Sequence, residues 1–347
     1  MSALLQIAAE SMFRHAVATA VRRASNASIA ATRARHQACR CLATTPPTPP
    51  QPKRSKPEAL LALARVDAPA GTLLLYWPGA WSIALAAPPG ALPDLKLLAL
   101  FGAGSIVMRG AGCTINDILD RDVDGAVERT KTRPLAANEL SVQEATAFLA
   151  LQLTCGLGVL TQLDMSSIAL GACSVPLVLT YPLAKRFFAM PQLVLGLTFN
   201  WGALLGYSAA TGGTVDYGVC LPLYGGCVAW TLLYDTLYAH QDKKDDSKLN
   251  LRSSALTIGD QNTPMFLRVC GVATVSGLGL AGYTAGFNDA NAWPFYASLS
   301  CFAAHLAWQV ETADLNDPAN LGARFRSNGV IAPVVLIGVA AATLNSA

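Results

Sequence analysis

The chain has 347 residues, 52% hydrophobic and 14% charged, with a mean hydropathy of +0.38. Soluble domains carry about 25% charged residues. The composition therefore excludes an ordinary soluble domain and gives no sign of a nucleic-acid partner. The length suffices for about nine spans of roughly 20 residues each in a lipid bilayer. The net charge of +3 conceals an asymmetry: nine of the 25 Lys and Arg precede Pro57, against one acid, Glu10.

Residues 1–57 are rich in Arg, Ser, Thr and Ala, the composition of a mitochondrial transit peptide. Apolar Met12, Phe13, Ala16 and Val17 alternate with Arg14 and His15, as in an amphipathic presequence helix. The tract Thr44-Thr45-Pro46-Pro47-Thr48-Pro49-Pro50 reads as an extended linker. A plastid address is the alternative. Residues 58–347 then form one membrane domain.

Apolar runs place candidate spans at 72–87, 95–115, 145–163, 166–181, 192–210, 217–239, 263–285, 292–310 and 330–345. Many contain Gly or Pro, which packed membrane helices tolerate. Numbering the loops alternately puts fourteen of the sixteen basic residues after Pro57 on one side. The positive-inside rule makes that side the matrix if the compartment is mitochondrial. The nine cysteines are scattered, without a CxxC pair, and read as small buried hydrophobes.

Two acidic stretches fall on the basic side. The first runs from Arg109 to Leu135 and contains Asp117, Asp120, Asp122, Asp124 and Glu128. Asn116, Asp120 and Asp124 recur every four residues, so on a helix they stack along one face. Like charges at that spacing repel, and a hard divalent cation removes the penalty. Magnesium prefers carboxylate and phosphate oxygens. Asp242 and Asp246 repeat the spacing after the 217–239 run, with Asp245 beside them. Two such stripes are expected to hold magnesium and a diphosphate. Taken alone, either stripe also reads as a solvated interfacial loop.

Arg129, Lys131 and Arg133 follow the first stripe, Lys185 and Arg186 follow the 166–181 run, and Arg252 follows the second stripe. Cations of this kind stabilise a departing diphosphate, although positive-inside anchoring alone accounts for some of them. Arg65 stands just before the first span. Arg109 lies inside an apolar run, seven residues before Asn116 and on its face, and an intramembrane Arg needs a partner or a wet cavity. A carboxylate substrate or an internal ion pair would satisfy it. Tyr181, Tyr234 and Tyr238 are candidates to line the cavity and to stabilise a cation, or simply to pack. His240 sits beside the second stripe as a weaker candidate.

Together these residues resemble the UbiA family of intramembrane prenyltransferases. Asn116-xxx-Asp120-xxx-Asp124 and Asp242-xxx-Asp246 are similar to its two signature motifs. The stretches 63–72, 108–117, 132–136, 181–186, 234–246, 252–256 and 325–328 resemble the branch that prenylates 4-hydroxybenzoate. Ala68 and Ala70 stand where bulkier residues are usual, and Arg252 where Lys is frequent.

The resemblance implies an all-α fold of nine transmembrane helices around a central cavity, with a lateral opening to the lipid bilayer for the polyprenyl tail. It implies that Asp120, Asp124, Asp242 and Asp246 hold two magnesium ions on a polyprenyl diphosphate, with Asn116 nearby. Arg129, Arg133 and Lys185 would contact phosphate, and Arg65, Asp117 and Asp245 count with the substrate-binding residues. Arg109 and Asn116 would meet 4-hydroxybenzoate, and Tyr181 the reacting carbon. The implied setting is ubiquinone biosynthesis at the mitochondrial inner membrane, with the mouth of the site facing the matrix. Membership of a quinone-synthesis assembly is compatible with this setting. Three rival readings stand beside it: a sister prenyltransferase with another acceptor, a divalent-cation transporter, and a structural membrane scaffold, which would explain neither Arg109 nor the paired stripes.

Overall fold

The computed structural model describes residues 54–249 and 251–346. The leader assigned to 1–57 lies almost wholly outside them. Arg54, Ser55 and Lys56, grouped with it by composition, already belong to the folded domain.

The described residues are helical, with no strand among them. Helix α1 (Lys56–Leu63) opens on a reciprocal cap between Ser55 and Glu58, with Pro57 in its first turn. Next come α2 (Ala70–Leu85), α3 (Leu95–Asp124) and α4 (Val142–Leu160). A pair of short helices, α5 (Met165–Ala172) and α6 (Val175–Phe187), makes one broken rod. A second pair, α7 (Pro191–Phe199) and α8 (Gly202–Ala210), makes another. The chain ends with α9 (Tyr217–Ala239), the short α10 (Lys243–Lys248), α11 (Ser254–Thr284), α12 (Trp293–Glu311) and α13 (Pro318–Asn345).

Among the described residues, seven segments are long and apolar enough to cross a membrane. The two remaining rods of the expected nine fall short of that measure. Helix α2 has only 16 residues, and α12 is diluted by Ser298, Ser300, His305 and Gln309. Several helices also run past the apolar edges seen in sequence. Helix α3 continues nine residues beyond 115. Its 30 residues reach about 45 Å at 1.5 Å per residue, against a hydrocarbon core of about 30 Å. The surplus turns carry the first acidic stripe. Helices α11 and α13 begin nine and twelve residues earlier than expected. Arg324 and Arg326, which precede the expected start at 330, therefore sit within α13. Arg268 makes a two-point ion pair with Glu311, at 2.9 and 3.0 Å.

Close backbone contact holds the bundle. Gly202 and Gly206 on α8 lie against Gly79 of α2; a Cβ on Gly206 would stand 2.6 Å from the Gly79 carbonyl oxygen. Helices α9 and α11 cross at Gly226 and Gly277, where a Cβ on Gly277 would stand 2.6 Å from the Pro222 carbonyl oxygen. Small residues at such crossings let membrane helices pack by dispersion, since lipid supplies no hydrophobic drive between them. Trp81, Trp230 and Phe302 meet in the interior with ring centres 5.2–5.8 Å apart. Both indoles are satisfied: Trp81 donates to the Ala332 carbonyl at 3.1 Å and Trp230 to Asn328 Oδ1 at 2.8 Å.

The break between α7 and α8 falls at Asn200, which is fully buried. Its Nδ2 donates to the Gly196 carbonyl at 2.7 Å and to Thr231 Oγ1 at 2.8 Å. Non-helical backbone at membrane depth is tolerated where protein satisfies it or where it lines a cavity.

Candidate active site

The site forms where the ends of α3, α6 and α9 come together. The surplus turns of α3 present Asp117, Asp120 and Asp124, all buried, and each carboxylate meets a cation from elsewhere in the chain. Both carboxylate oxygens of Asp117 accept from Arg65 Nη2, each at 2.8 Å, and Oδ1 accepts a further bond from Arg133 at 3.2 Å. Arg133 also donates to Asp124 at 2.8 Å. Asp120 pairs closely with Lys185 from α6, and Arg186 Nη2 stands 3.6 Å from its other oxygen. Asp242 pairs bidentately with Arg129. Arg129 Nη1 also donates to Tyr238 Oη at 3.2 Å, and the guanidinium lies 5.2 Å from that ring's centre.

Asp246, on α10, is pushed up to about 6 by burial and by the neighbouring Asp242 charge, with Lys185 and Arg129 opposing. Asp245 points elsewhere, pairing with Lys248 at 3.2 Å within its own short helix. Arg252 also stays out: its guanidinium donates to the Phe187 carbonyl at 2.9 Å, and its backbone N–H donates to the Lys185 carbonyl at 3.0 Å. It fastens the segment that carries Lys185 and touches none of the acids. His240 is buried, bonded through Nδ1 to the Thr236 carbonyl oxygen at 2.8 Å and lying 3.4 Å from Asp260.

A second layer lies deeper. Arg109 precedes Asp120 by eleven residues on α3, about 16 Å along the axis. Its guanidinium lies 5.4 Å from the centre of the Phe199 ring, and its Nε is buried without a hydrogen-bond partner. Tyr181, Tyr234 and Asp235 are within Coulombic range of it. Tyr181, on α6 one turn before Lys185, is within Coulombic range of Asp120 as well as Arg109. Asn116 is half-buried on α3 between them. The Tyr234 hydroxyl lies 3.0 Å from Thr231 Oγ1, which accepts from Asn200. Rings continue outward: Tyr234 to Phe325 at 5.6 Å, then Phe325 to Tyr238 at 4.5 Å.

Asp235 was missed in sequence. It lies in the last turns of α9, seven residues before Asp242, within Coulombic range of both Arg109 and Arg129. Its adjacency to Tyr234, in a stretch already acidic, was the available signal. Asn200 was missed too; a lone amide interrupting an apolar run marked it.

Among the described residues no three carboxylate, imidazole or thiolate groups gather tightly enough to ligate one ion. The carboxylates face Lys and Arg instead. The donor set still suits magnesium, which takes one or two carboxylates and completes its shell with phosphate oxygens and water. Asp120 Oδ1, buried without a hydrogen-bond partner, is an acceptor available to such an ion.

Two acidic stripes on helix ends, a shell of Lys and Arg, and an aromatic interior holding a buried Arg define the class of intramembrane prenyltransferases. Residues 75–343 match the UbiA prenyltransferase family, and the chain belongs to that family. It is 52% identical over 279 residues to the mitochondrial 4-hydroxybenzoate polyprenyltransferase of Rattus norvegicus, covering 80% of this chain and 73% of that protein. The Homo sapiens protein of the same description is 51% identical over 279 residues, covering 80% and 74%. In fold, the chain resembles an apo UbiA homolog from Aeropyrum pernix K1, with a TM-score of 0.65 at 24% identity, covering 79% of this chain and 98% of the other. A UbiA homolog from Archaeoglobus fulgidus bound to GPP and Mg2+ gives a TM-score of 0.61 at 19% identity, covering 82% and 99%.

Proposed function

We propose that the protein transfers a polyprenyl group from polyprenyl diphosphate to the ring carbon ortho to the hydroxyl of 4-hydroxybenzoate, releasing diphosphate, as a step of ubiquinone biosynthesis. The observation that carries this reading is the pairing of four stripe and stripe-adjacent carboxylates with four cations from three segments, above a buried Arg109 that lacks a partner for Nε. The likeness to curated enzymes of that activity supports the choice of acceptor.

The cations Arg129, Arg133 and Lys185 exchange carboxylate for phosphate oxygen as the diphosphate enters. Asp120, Asp124, Asp242 and Asp246 then become available to magnesium, with Asn116 beside them. The metal, when bound, supplies Lewis-acid stabilisation of the charge that develops on the departing diphosphate. Arg109, with Asn116, takes the aromatic carboxylate; the low-polarity surroundings strengthen that pairing. Tyr181, one turn before Lys185, borders the reacting carbon, and the rings of Tyr234 and Tyr238 favour the cationic allylic centre. The bond from the allylic carbon to the diphosphate oxygen breaks, and its electron pair leaves with the diphosphate. The ring carbon supplies the new bond and loses its proton, which restores aromaticity. The polyprenyl tail extends into lipid through a lateral opening among nine spans. The setting is the mitochondrial inner membrane with the acidic mouth toward the matrix, as the charge distribution favours.

Purified protein in liposomes, given 4-hydroxybenzoate and a polyprenyl diphosphate with and without magnesium, tests the reading by mass spectrometry. A magnesium-dependent prenylated acid is expected. Magnesium-dependent turnover only with a different aromatic acceptor would overturn the acceptor assignment. Metal flux without transfer would overturn the enzyme reading in favour of a transporter.

A further inference from the structure

Helix α1 makes more contacts with the loop after the first acidic stripe than a connecting segment requires. Arg54 Nη1 donates to the Thr132 carbonyl at 3.1 Å and to Glu139 at 3.0 Å. Lys56 donates to the Glu139 carbonyl at 3.2 Å and to both oxygens of Glu144 at 2.7 and 2.9 Å. Ala59 and Leu63 are fully buried against Leu135, Leu140 and Ala145. The helix then ends at Arg65, whose φ of 59° lies in the left-handed region. Few residues other than Gly adopt that conformation without cost. The bend lets the guanidinium cap its own helix, donating to the Ala62 and Leu63 carbonyls at 2.8 and 3.2 Å, while its other nitrogen grips Asp117.

The contacts close a ring. Arg54 holds the carbonyl immediately before Arg133. Arg133 joins Asp117 to Asp124. Asp117 returns to Arg65, and α1 leads back to Arg54. The loop 125–140 carries both Arg129 and Arg133, and Arg54 fastens its far side. An isolated exposed ion pair contributes little, but this one is half-sheltered, with Glu139 only 10% exposed in its side chain, and it acts with a carbonyl contact and a hydrophobic seam.

We propose that Arg54 and Lys56 are positioning residues: α1 is a strap that holds the 125–140 loop so that Arg129 and Arg133 face the diphosphate. This rests on the phosphate-binding reading of those two arginines given above. Neither Arg54 nor Lys56 touches substrate; each acts through the loop. Loosening the strap costs affinity for the diphosphate end and leaves the chemical step intact once the site is filled.

The test uses the full chain in lipid nanodiscs. Binding of farnesyl thiolodiphosphate, a non-reacting donor analogue, is measured with magnesium present, beside steady-state turnover. Arg133→Ala serves as the reference. Arg54→Ala, alone and with Lys56→Ala, is expected to weaken analogue binding and raise the donor KM by about five- to tenfold, with kcat within about twofold of the parent and the acceptor KM unchanged. Arg54→Lys, which keeps one donor toward Glu139, is expected to recover part of the loss. Weakened binding in Arg133→Ala with parental binding in Arg54→Ala and the double variant would overturn the strap. So would a fall in kcat or melting temperature with the donor KM unchanged. Parental binding in Arg133→Ala itself would instead overturn the phosphate reading beneath it.

Discussion

Arg129 and Asp242 form a two-point ion pair across 113 residues of chain, with Nε donating to Oδ1 at 2.8 Å. The loop after the first acidic stripe is thereby tied directly to the second. The same guanidinium is held by the hydroxyl and ring of Tyr238, in the last turn of α9 and four residues before Asp242. The two stripes are thus parts of one charged assembly. Arg129 relieves the second stripe from the first stripe's loop, while Arg65, Arg133 and Lys185 relieve the like-charge repulsion of the first.

Removing Asp242 has two effects. It deletes a carboxylate proposed to hold magnesium, and it frees Arg129 from the partner that orients it. Asp242→Asn keeps the shape and one acceptor, yet is expected to lower kcat/KM by about 100-fold or more, as loss of transition-state charge stabilisation does. Arg129→Ala is expected to act mainly on the donor KM. Because the residues touch, the double variant is expected to lose less than the two single losses combined. Steady-state kinetics on the four proteins checks this; additive losses would separate the two roles.

Asp246 supplies a pH dependence. Its carboxyl is pushed up to about 6 by burial and the Asp242 charge, so it is ionised above that pH and protonated below it. A metal must displace that proton at low pH. The apparent magnesium affinity is therefore expected to be flat above pH 7 and to fall by about tenfold per pH unit well below 6. Asp246→Asn is expected to abolish this slope while weakening magnesium at every pH. Titration of magnesium-dependent activity between pH 5 and 8 gives the result; an unchanged slope in the variant would assign the dependence to another group.

The acidic stripe was legible because Asn116, Asp120 and Asp124 follow the helical period, and α3 does continue through them. Arg109 was legible because a charge in an apolar run is costly without a purpose. Other features depend on distances between segments, which periodicity does not encode. Asp117 shares the stretch with Asp120 but faces Arg65, 52 residues away. Asp245 adjoins Asp246 but turns to Lys248, because successive residues on a helix point about 100° apart. Arg186 reaches Asp120 beside Lys185 only because α6 ends against α3. The break at Cys173–Ser174 was hidden within a continuous apolar run, where hydropathy is blind to a change of direction, and at Asn200–Trp201 a single amide was the mark. Helix ends were missed for the reverse reason: α3, α11 and α13 run on in polar sequence, stabilised by packing and ion pairs that an apolar count ignores.

Arg109 sets the acceptor in this reading. Arg109→Ala is expected to raise the KM for 4-hydroxybenzoate by at least about tenfold, as loss of a charge-assisted bidentate contact does, with the donor KM unchanged. Arg109→Lys keeps the charge without the planar fork and is expected to fall between. Discrimination against a phenol lacking the carboxylate is expected to shrink in step with the loss of Arg109. Competition between the two acceptors, read by mass spectrometry, measures that ratio directly. Unchanged discrimination in Arg109→Ala would move carboxylate recognition elsewhere.

Gly206 tests the scaffold apart from the chemistry. A Cβ there would stand 2.6 Å from the Gly79 carbonyl oxygen and 3.3 Å from its carbonyl carbon and Cα. These are backbone atoms and cannot swing aside as the end of a side chain can. Gly206→Ala must therefore push α8 from α2, at an expected cost of about 1–3 kcal/mol in stability, as overpacking does. Gly206→Leu adds the bulk of a whole side chain and is expected to cost more. Gly112, by contrast, has open space around its Cβ direction, so Gly112→Ala removes helix-interior flexibility without a clash and is expected to be neutral or mildly stabilising. Thermal unfolding in detergent ranks the three variants. The order Gly112→Ala, Gly206→Ala, Gly206→Leu from most to least stable is expected. The analogue affinity of whatever folded Gly206→Ala remains is expected to be parental, since the α2–α8 crossing adjoins none of the residues that face the diphosphate. A Gly206→Ala protein as stable as the parent would mean that α2 and α8 do not pack through this contact.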